Sequence, residues 1–193
     1  MFNINNNNKT MEVKGSAISS TLNYVKINHE SEYDSWFNSL EEDSQQILKS
    51  ISNSKWYPMK EGLLNPTQKI IDRFFDNDNK GAYKVGYHSA DTGLNGIYKL
   101  FIKLGSPNFI ISKTAKVFGM YYKGAKMEVI SSTSESVILD ITHFPEYSII
   151  IEQRVIGWIE KALEITGCKN IKTSLVKSLA KNDDSTELFI VWN

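Results

Sequence analysis

From Ala125 to Asn193 the apolar pattern changes period twice, and few backbone arrangements satisfy that order. Met127 and Val129 alternate with charge. Val137, Leu139 and Ile141 alternate with Ile138, Asp140 and Thr142, the pattern of half-buried strands. Ser131 to Glu135, between the two runs, suits a hairpin loop. The period then turns helical: Tyr147, Ile151, Val155, Trp158, Ile159, Ala162, Leu163 and Ile165 share one side of a wheel over 147–166, and Gln153, Glu160, Lys161 and Glu164 face away. Gly167 fits the stop of that helix. Ile171, Thr173 and Leu175, then Leu188, Ile190 and Trp192, return to alternation, with turn chemistry in Lys181-Asn182-Asp183-Asp184 between them. Hairpin, long helix, hairpin reads as ββαββ, which makes a four-stranded antiparallel sheet with helices on it.

Upstream, the periods are helical. Ile18, Leu22 and Val25 follow Gly15-Ser16, and Tyr33, Trp36, Phe37 and Leu40 recur at i, i+3, i+4, i+7, with Ser31 and Asp34 as cap candidates. Ile47, Leu48 and Ile51 give a short third helix. Trp56-Tyr57-Pro58 interrupts the series, because a residue before proline is pushed towards extended geometry. Asn65-Pro66-Thr67-Gln68 reads as a helix start with an Asn cap, and Ile70, Ile71, Phe74 and Phe75 supply its buried face. Tyr83, Tyr87 and Ala90 are compatible with a further helix. Ile97 to Leu104 is apolar nearly all round, and Ser106-Pro107 opens a helix carrying Ile110, Ile111, Val117, Phe118, Tyr121 and Tyr122. The fold class is therefore α+β: a helical N-terminal half followed by ββαββ. Residues 1–11 are Asn-rich and expected to be a disordered tail, with 12–193 as a single domain.

Composition removes several function classes. Lys+Arg and Asp+Glu are both 22 and no basic run occurs, so the electrostatic footprint of a nucleic-acid or anionic-membrane protein is missing. The single cysteine, Cys168, cannot make an internal disulfide or a multi-cysteine zinc site. The first residues lack the regions of a signal peptide, and no apolar run approaches the ~20 residues of a membrane span, so the cytoplasm is the expected location.

No catalytic motif stands out, and the reading is non-enzymatic. Asp76-Asn77-Asp78-Asn79-Lys80-Gly81 begins like a calcium loop, but Lys80 and Tyr87 fall where oxygen ligands are required, so a helix-ending turn is expected. His29, His88 and His143 lack a neighbouring histidine or cysteine at metal-binding spacing. His88, beside Tyr87, is a candidate polar anchor or haem ligand, against the ordinary reading of a satisfied histidine. Glu152 is the carboxylate inside the apolar arc of the long helix, where burial would mark a binding group and a position near the helix start would not. Trp56, Tyr87, Tyr98, Phe101, Phe118 and Tyr121 belong to an aromatic cluster between residues 56 and 122, suited to a pocket wall or to plain core.

Val13-Lys14-Gly15-Ser16, Trp56-Tyr57-Pro58, Gly96-Ile97-Tyr98-Lys99-Leu100-Phe101, Leu104-Gly105-Ser106-Pro107, Tyr121-Tyr122, Gly157 and Trp192, in that order, resemble an uncharacterised bacterial family best known from myxobacteria. The hairpin–helix–hairpin end is also similar to a wider superfamily that includes 4-vinyl-reductase domains, Bet-type subunits of TRAPP tethers and haem NO-binding domains. That resemblance implies an α+β fold, frequent dimers and an apolar pocket for acyl chains, aromatics or haem. Members with zinc carry several cysteines near the long helix, where this chain has only Cys168. The proximal-histidine context of the haem members is not matched convincingly.

The expected function is a small-molecule-binding or sensory module, without a resident cofactor, taking an apolar or aromatic molecule between Trp56, Tyr87, His88, Tyr98, Phe101, Phe118, Tyr121 and Glu152. A homodimer is the expected assembly. Two alternatives stand beside it: a dimeric interaction scaffold without a ligand, and a haem-based gas sensor using His88.

Overall fold

The computed structural model describes residues 10–94 and 107–193. Most of the Asn-rich start, and Tyr98 and Phe101, lie outside them.

The C-terminal unit has the expected order. Strands β3 (Lys126–Ser132), β4 (Ser136–Thr142), β5 (Lys172–Lys177) and β6 (Thr186–Val191) form an antiparallel sheet in the spatial order β3-β4-β6-β5. The central pairing sets Val137 opposite Ile190 and Leu139 opposite Leu188, so one face is continuously apolar. Both edge strands are bulged, β3 between Val129 and Ser131 and β5 between Leu175 and Lys177. A bulge twists an edge and ends regular pairing, which protects the sheet from a second chain. The long helix, Ile149–Ile165, closes with Gly167 at φ +99°. Gly167 N–H donates to the Glu164 carbonyl and Cys168 N–H to that of Leu163, the paired bonds of a Schellman end.

Cys168 is buried immediately beyond that end, and burial pushes its thiol above the usual range. Ellman's reagent should therefore leave the native protein unmodified and read one thiol per chain in denaturant. Rapid reaction of the native protein would show that this helix end is open.

The helical half runs α1 (Gly15–Asn28), α2 (Tyr33–Asn38), α3 (Glu42–Lys49), α4 (Asn65–Phe74), α5 (Lys80–Gly93) and α6 (Pro107–Tyr121); the long helix is α7. Trp36, Ile18, Met59, Leu63 and Ile70 are fully buried among these helices and join one core with Leu139, Ile141, Ile151 and Leu188 of the sheet unit. The expected Asn cap at Asn65 is absent. A π-helical turn, Lys60–Leu64, runs straight into α4, so Asn65 is already helical and its amide donates to Glu41. The wide turn falls just before Pro66, whose missing N–H already interrupts the ladder. The calcium-like run is a turn: Asp76 and Asn77 adopt positive φ, and the Asp78 carboxylate accepts from Lys80 N–H at the start of α5.

One element escaped the sequence reading. Glu12–Lys14 forms a short strand, β1, antiparallel to Trp56–Pro58, β2. β1 also bridges at Val13 to Tyr122 beyond α6, where Lys123 N–H donates to the Glu12 carbonyl. One residue earlier, Met11 is buried and its N–H donates to Glu146 at 3.1 Å. This seam joins the N-terminal helices to the sheet unit.

The two halves meet most closely where α5 crosses α7. A Cβ on Gly86 would lie 2.0 Å from the Arg154 carbonyl oxygen, and one on Gly157 would lie 2.2 Å from that of Tyr83. The glycines are reciprocal: each lets the other helix's backbone come into contact.

Candidate functional site

That crossing shapes a cavity. It is bounded by Ala17 of α1, Gly86 and Ser89 of α5, Val117, Phe118 and Tyr121 of α6 with Tyr122 just beyond it, Met127 of β3, and Arg154, Val155, Trp158 and Ile159 of α7, and encloses about 50 Å³. Ala17 and Gly86 contribute little side chain to one wall, and the aromatic end of α6 closes another. Phe118 and Tyr122 pack on each other at 4.9 Å between ring centres and on Phe144 at 6.1 and 5.2 Å. The wall is thus fixed by an aromatic cluster that reaches the end of β4.

Arg154 is the unusual member. It is 3% exposed, and its Nη1 donates to Thr67 Oγ1 at 3.0 Å, which in turn donates to the Leu63 carbonyl at 2.7 Å. The Tyr122 hydroxyl lies beside the guanidinium and supports its charge against burial, which disfavours it. Nε has no hydrogen-bond partner among the described residues. A guanidinium does not lose its proton in a protein, so burial leaves a charge in place and does not neutralise it.

A second, shallower groove of about 320 Å³ lies beside the cavity and shares Ser89 and Tyr121 with it. Its other residues are Ser16, Ser19, Ser20, Asn23, Asn53, Thr92 and Gly93, all but the glycine with a hydroxyl or an amide.

The sequence candidates scatter around this site. Phe118 and Tyr121 line the cavity. Tyr87 lies on the far side of α5, where its hydroxyl donates to Glu164 and the Lys161 ammonium sits 4.7 Å over its ring. His88 is half-buried and edge-on to Tyr24 at 5.4 Å, outside the cavity lining. Its pKa is pushed down by burial, with Asp91 opposing, and Nε2 has no partner among the described residues. Trp56 sits on β2 with the Lys14 ammonium 4.5 Å over its ring. Glu152 is fully buried on another side of α7; it accepts from the Ser178 hydroxyl, and its second oxygen has no partner among the described residues. Arg154, Met127 and Trp158 were not anticipated as site residues. Arg154 carried a signal: it falls between Ile151 and Val155 on the apolar stripe of α7, and it is one of two arginines in a chain whose other basic residues are all lysine.

No protein-family model and no curated protein matches the chain. Solved structures do. An Fe(II) unliganded H-NOX protein from K. algicida superposes with a TM-score of 0.66 at 14% identity, covering 93% of this chain and 96% of that one. An S. oneidensis H-NOX protein in the Fe(II)NO ligation state gives 0.70 at 13% identity, covering 93% and 99%. A point mutant of T. Tengcongensis H-NOX gives 0.65 at 12% identity, covering 93% and 97%. The fold is the H-NOX fold. At these identities the likeness concerns backbone architecture alone.

Haem is the group studied in the H-NOX family, and the lining bears directly on whether this cavity could hold it. The cavity holds about 50 Å³, whereas pockets for drug-sized ligands run to ~300 Å³ and more. No histidine or cysteine lines it; Tyr121, Tyr122 and Met127 are the side chains there of a type that ligates haem iron. His29 stacks on Phe74 at 3.8 Å, and His143 is exposed and hydrogen-bonded to Thr142. Residues 95–106, which follow α5, contain no histidine or cysteine in sequence. His88 lies outside this lining, and the cavity as lined by the described residues does not fit a histidine-ligated haem.

Proposed function

We propose that the chain is a non-catalytic sensory domain on the H-NOX fold that binds a small molecule with an apolar body. The observation that carries this reading is the cavity at the α5–α6–α7 junction, walled by Val117, Phe118, Trp158 and Ile159 and placed where both halves of the fold touch. An occupant there contacts helices of the N-terminal half and β3 of the sheet unit at once, so its binding bears on how the halves pack. Ligand-observed NMR with a panel of small aliphatic and aromatic probes tests it. Binding that Phe118→Ala weakens supports the reading; no binding by any probe up to millimolar concentration ends it.

The haem-based gas sensor is the second reading, favoured by the likeness to H-NOX structures in the Fe(II) and Fe(II)NO states. The donor set of the cavity opposes it. Titration of the purified protein with haemin should give no stoichiometric Soret band. A saturable band at one haem per chain would establish the gas-sensor reading in place of the first.

A ligand-free dimeric scaffold has one feature in its favour. On the outer face of the sheet unit Ile130 and Val176 are each 57% exposed and Phe189 is 39% exposed. Sedimentation equilibrium separates monomer from homodimer. Among the described residues no helix is long and apolar enough to cross a membrane, and a cytoplasmic location stays part of the proposal.

A further inference from the structure

Arg154 is a buried cation without a carboxylate. Among the described residues it forms no ion pair. The remaining residues cannot supply one, because 1–9 and 95–106 contain neither aspartate nor glutamate. Removing a guanidinium from water costs several kcal/mol, which attraction to an opposite charge normally offsets. Here Thr67 Oγ1 and the Tyr122 hydroxyl contribute dipoles only, and Nε keeps an N–H with no acceptor among the described residues. No carboxylate of the chain is paired with it.

We propose that the cavity takes a short-chain organic acid, its carboxylate on the Arg154 guanidinium and its carbon chain against Val117, Phe118, Val155 and Trp158. This rests on the cavity being a ligand site. The planar fork of arginine matches a carboxylate with two parallel N–H···O bonds, which a lysine ammonium cannot reproduce. The choice of residue follows that logic: lysine supplies every other basic position except Arg73, which is on the surface and donates to Ser35. The apolar walls select against hydrated inorganic anions, because these would leave oxygens without donors on that side. A volume of about 50 Å³ admits a chain of a few carbons and excludes a long acyl chain.

The test uses the full chain with butyrate, 1-butanol and inorganic phosphate, followed by isothermal titration calorimetry. Butyrate is expected to bind at least about tenfold more tightly than 1-butanol, the scale of one charge-assisted pair. Arg154→Met is expected to bring the two within about twofold of each other while 1-butanol binding persists. Equal binding of butyrate and 1-butanol by the unmodified protein overturns the proposal and leaves the cavity reading standing. Binding of neither overturns the cavity reading itself. Phosphate binding as tight as butyrate also overturns the proposal, since the site would then read charge without its walls. Should Arg154→Met fail to fold, the Nε–H resonance of Arg154 in the unmodified protein decides: it shifts with butyrate and not with 1-butanol, or the proposal fails.

Discussion

Gly157→Ala should lower the melting temperature by about 10 °C, the consequence of ~3 kcal/mol lost to overpacking in a chain of this size. The added methyl would sit 2.2 Å from the Tyr83 carbonyl oxygen and 3.0 Å from the Tyr87 nitrogen. Both are backbone atoms of α5, so no rotamer change relieves the clash and the helices must separate. Gly86→Ala should cost a similar amount, because its methyl meets the Arg154 carbonyl oxygen at 2.0 Å. The double variant should cost clearly less than the two together, since helices already pushed apart accept the second methyl more easily. Gly93→Ala is the control: nothing lies within 4 Å of its Cβ position, and its stability should hold or rise slightly. Thermal unfolding by circular dichroism reads all four. Additive losses would mean that the two glycines do not share one contact.

Ser178→Ala should destabilise the protein by about 2–3 kcal/mol, the scale of a hydrogen bond to a buried charged group. The Ser178 hydroxyl is the hydrogen-bond donor found for the Glu152 carboxylate, and both residues are at most 1% exposed. Removing it leaves a carboxylate in the core without that donor. The surrounding loop is firmly placed, with Ser178 N–H donating to Asp183 and Leu179 N–H to Thr186, so it cannot collapse to bring another donor close. Glu152→Gln, which keeps an acceptor for Ser178 and removes the charge, should lose less than half as much. Urea unfolding of the two variants checks the pair. A loss below about 0.5 kcal/mol for Ser178→Ala would place Glu152 in contact with water.

The C-terminal unit was legible because its two periods are clean and long. Leu139 and Leu188 pair at the centre of the sheet as their alternation demands, and the Gly167 stop is a formed Schellman end. β1 was illegible because three residues cannot display a period, and its pairing depends on β2 and on Tyr122, far along the chain. The Asn65 cap misled for a local reason: Asn-Pro-Thr-Gln is good start chemistry, yet the residues before it already form a π-helical turn packed through Leu63. At the site, Phe118 and Tyr121 were readable as aromatics on one helix. The cavity itself was not, because its lining comes from α1, α5, α6, β3 and α7, which only the tertiary fold brings together. Glu152 drew attention by its charge on the apolar arc of α7. Arg154, two residues on and just as deeply placed, satisfied the same criterion.

The seam at β1 sets a constraint on the order of assembly. Met11 is held by Glu146, 135 residues later, and Val13 by Tyr122. During synthesis β1 can pair with β2 early, but the groups that tie it to the sheet unit leave the ribosome much later. α1 to α4 can gather locally, but their attachment to the rest is a late, long-range closure, the kind of contact that slows folding. A nascent chain arrested before Tyr122 emerges should be cleaved near Met11 and Val13 more readily than one in which Tyr122 and Glu146 have emerged.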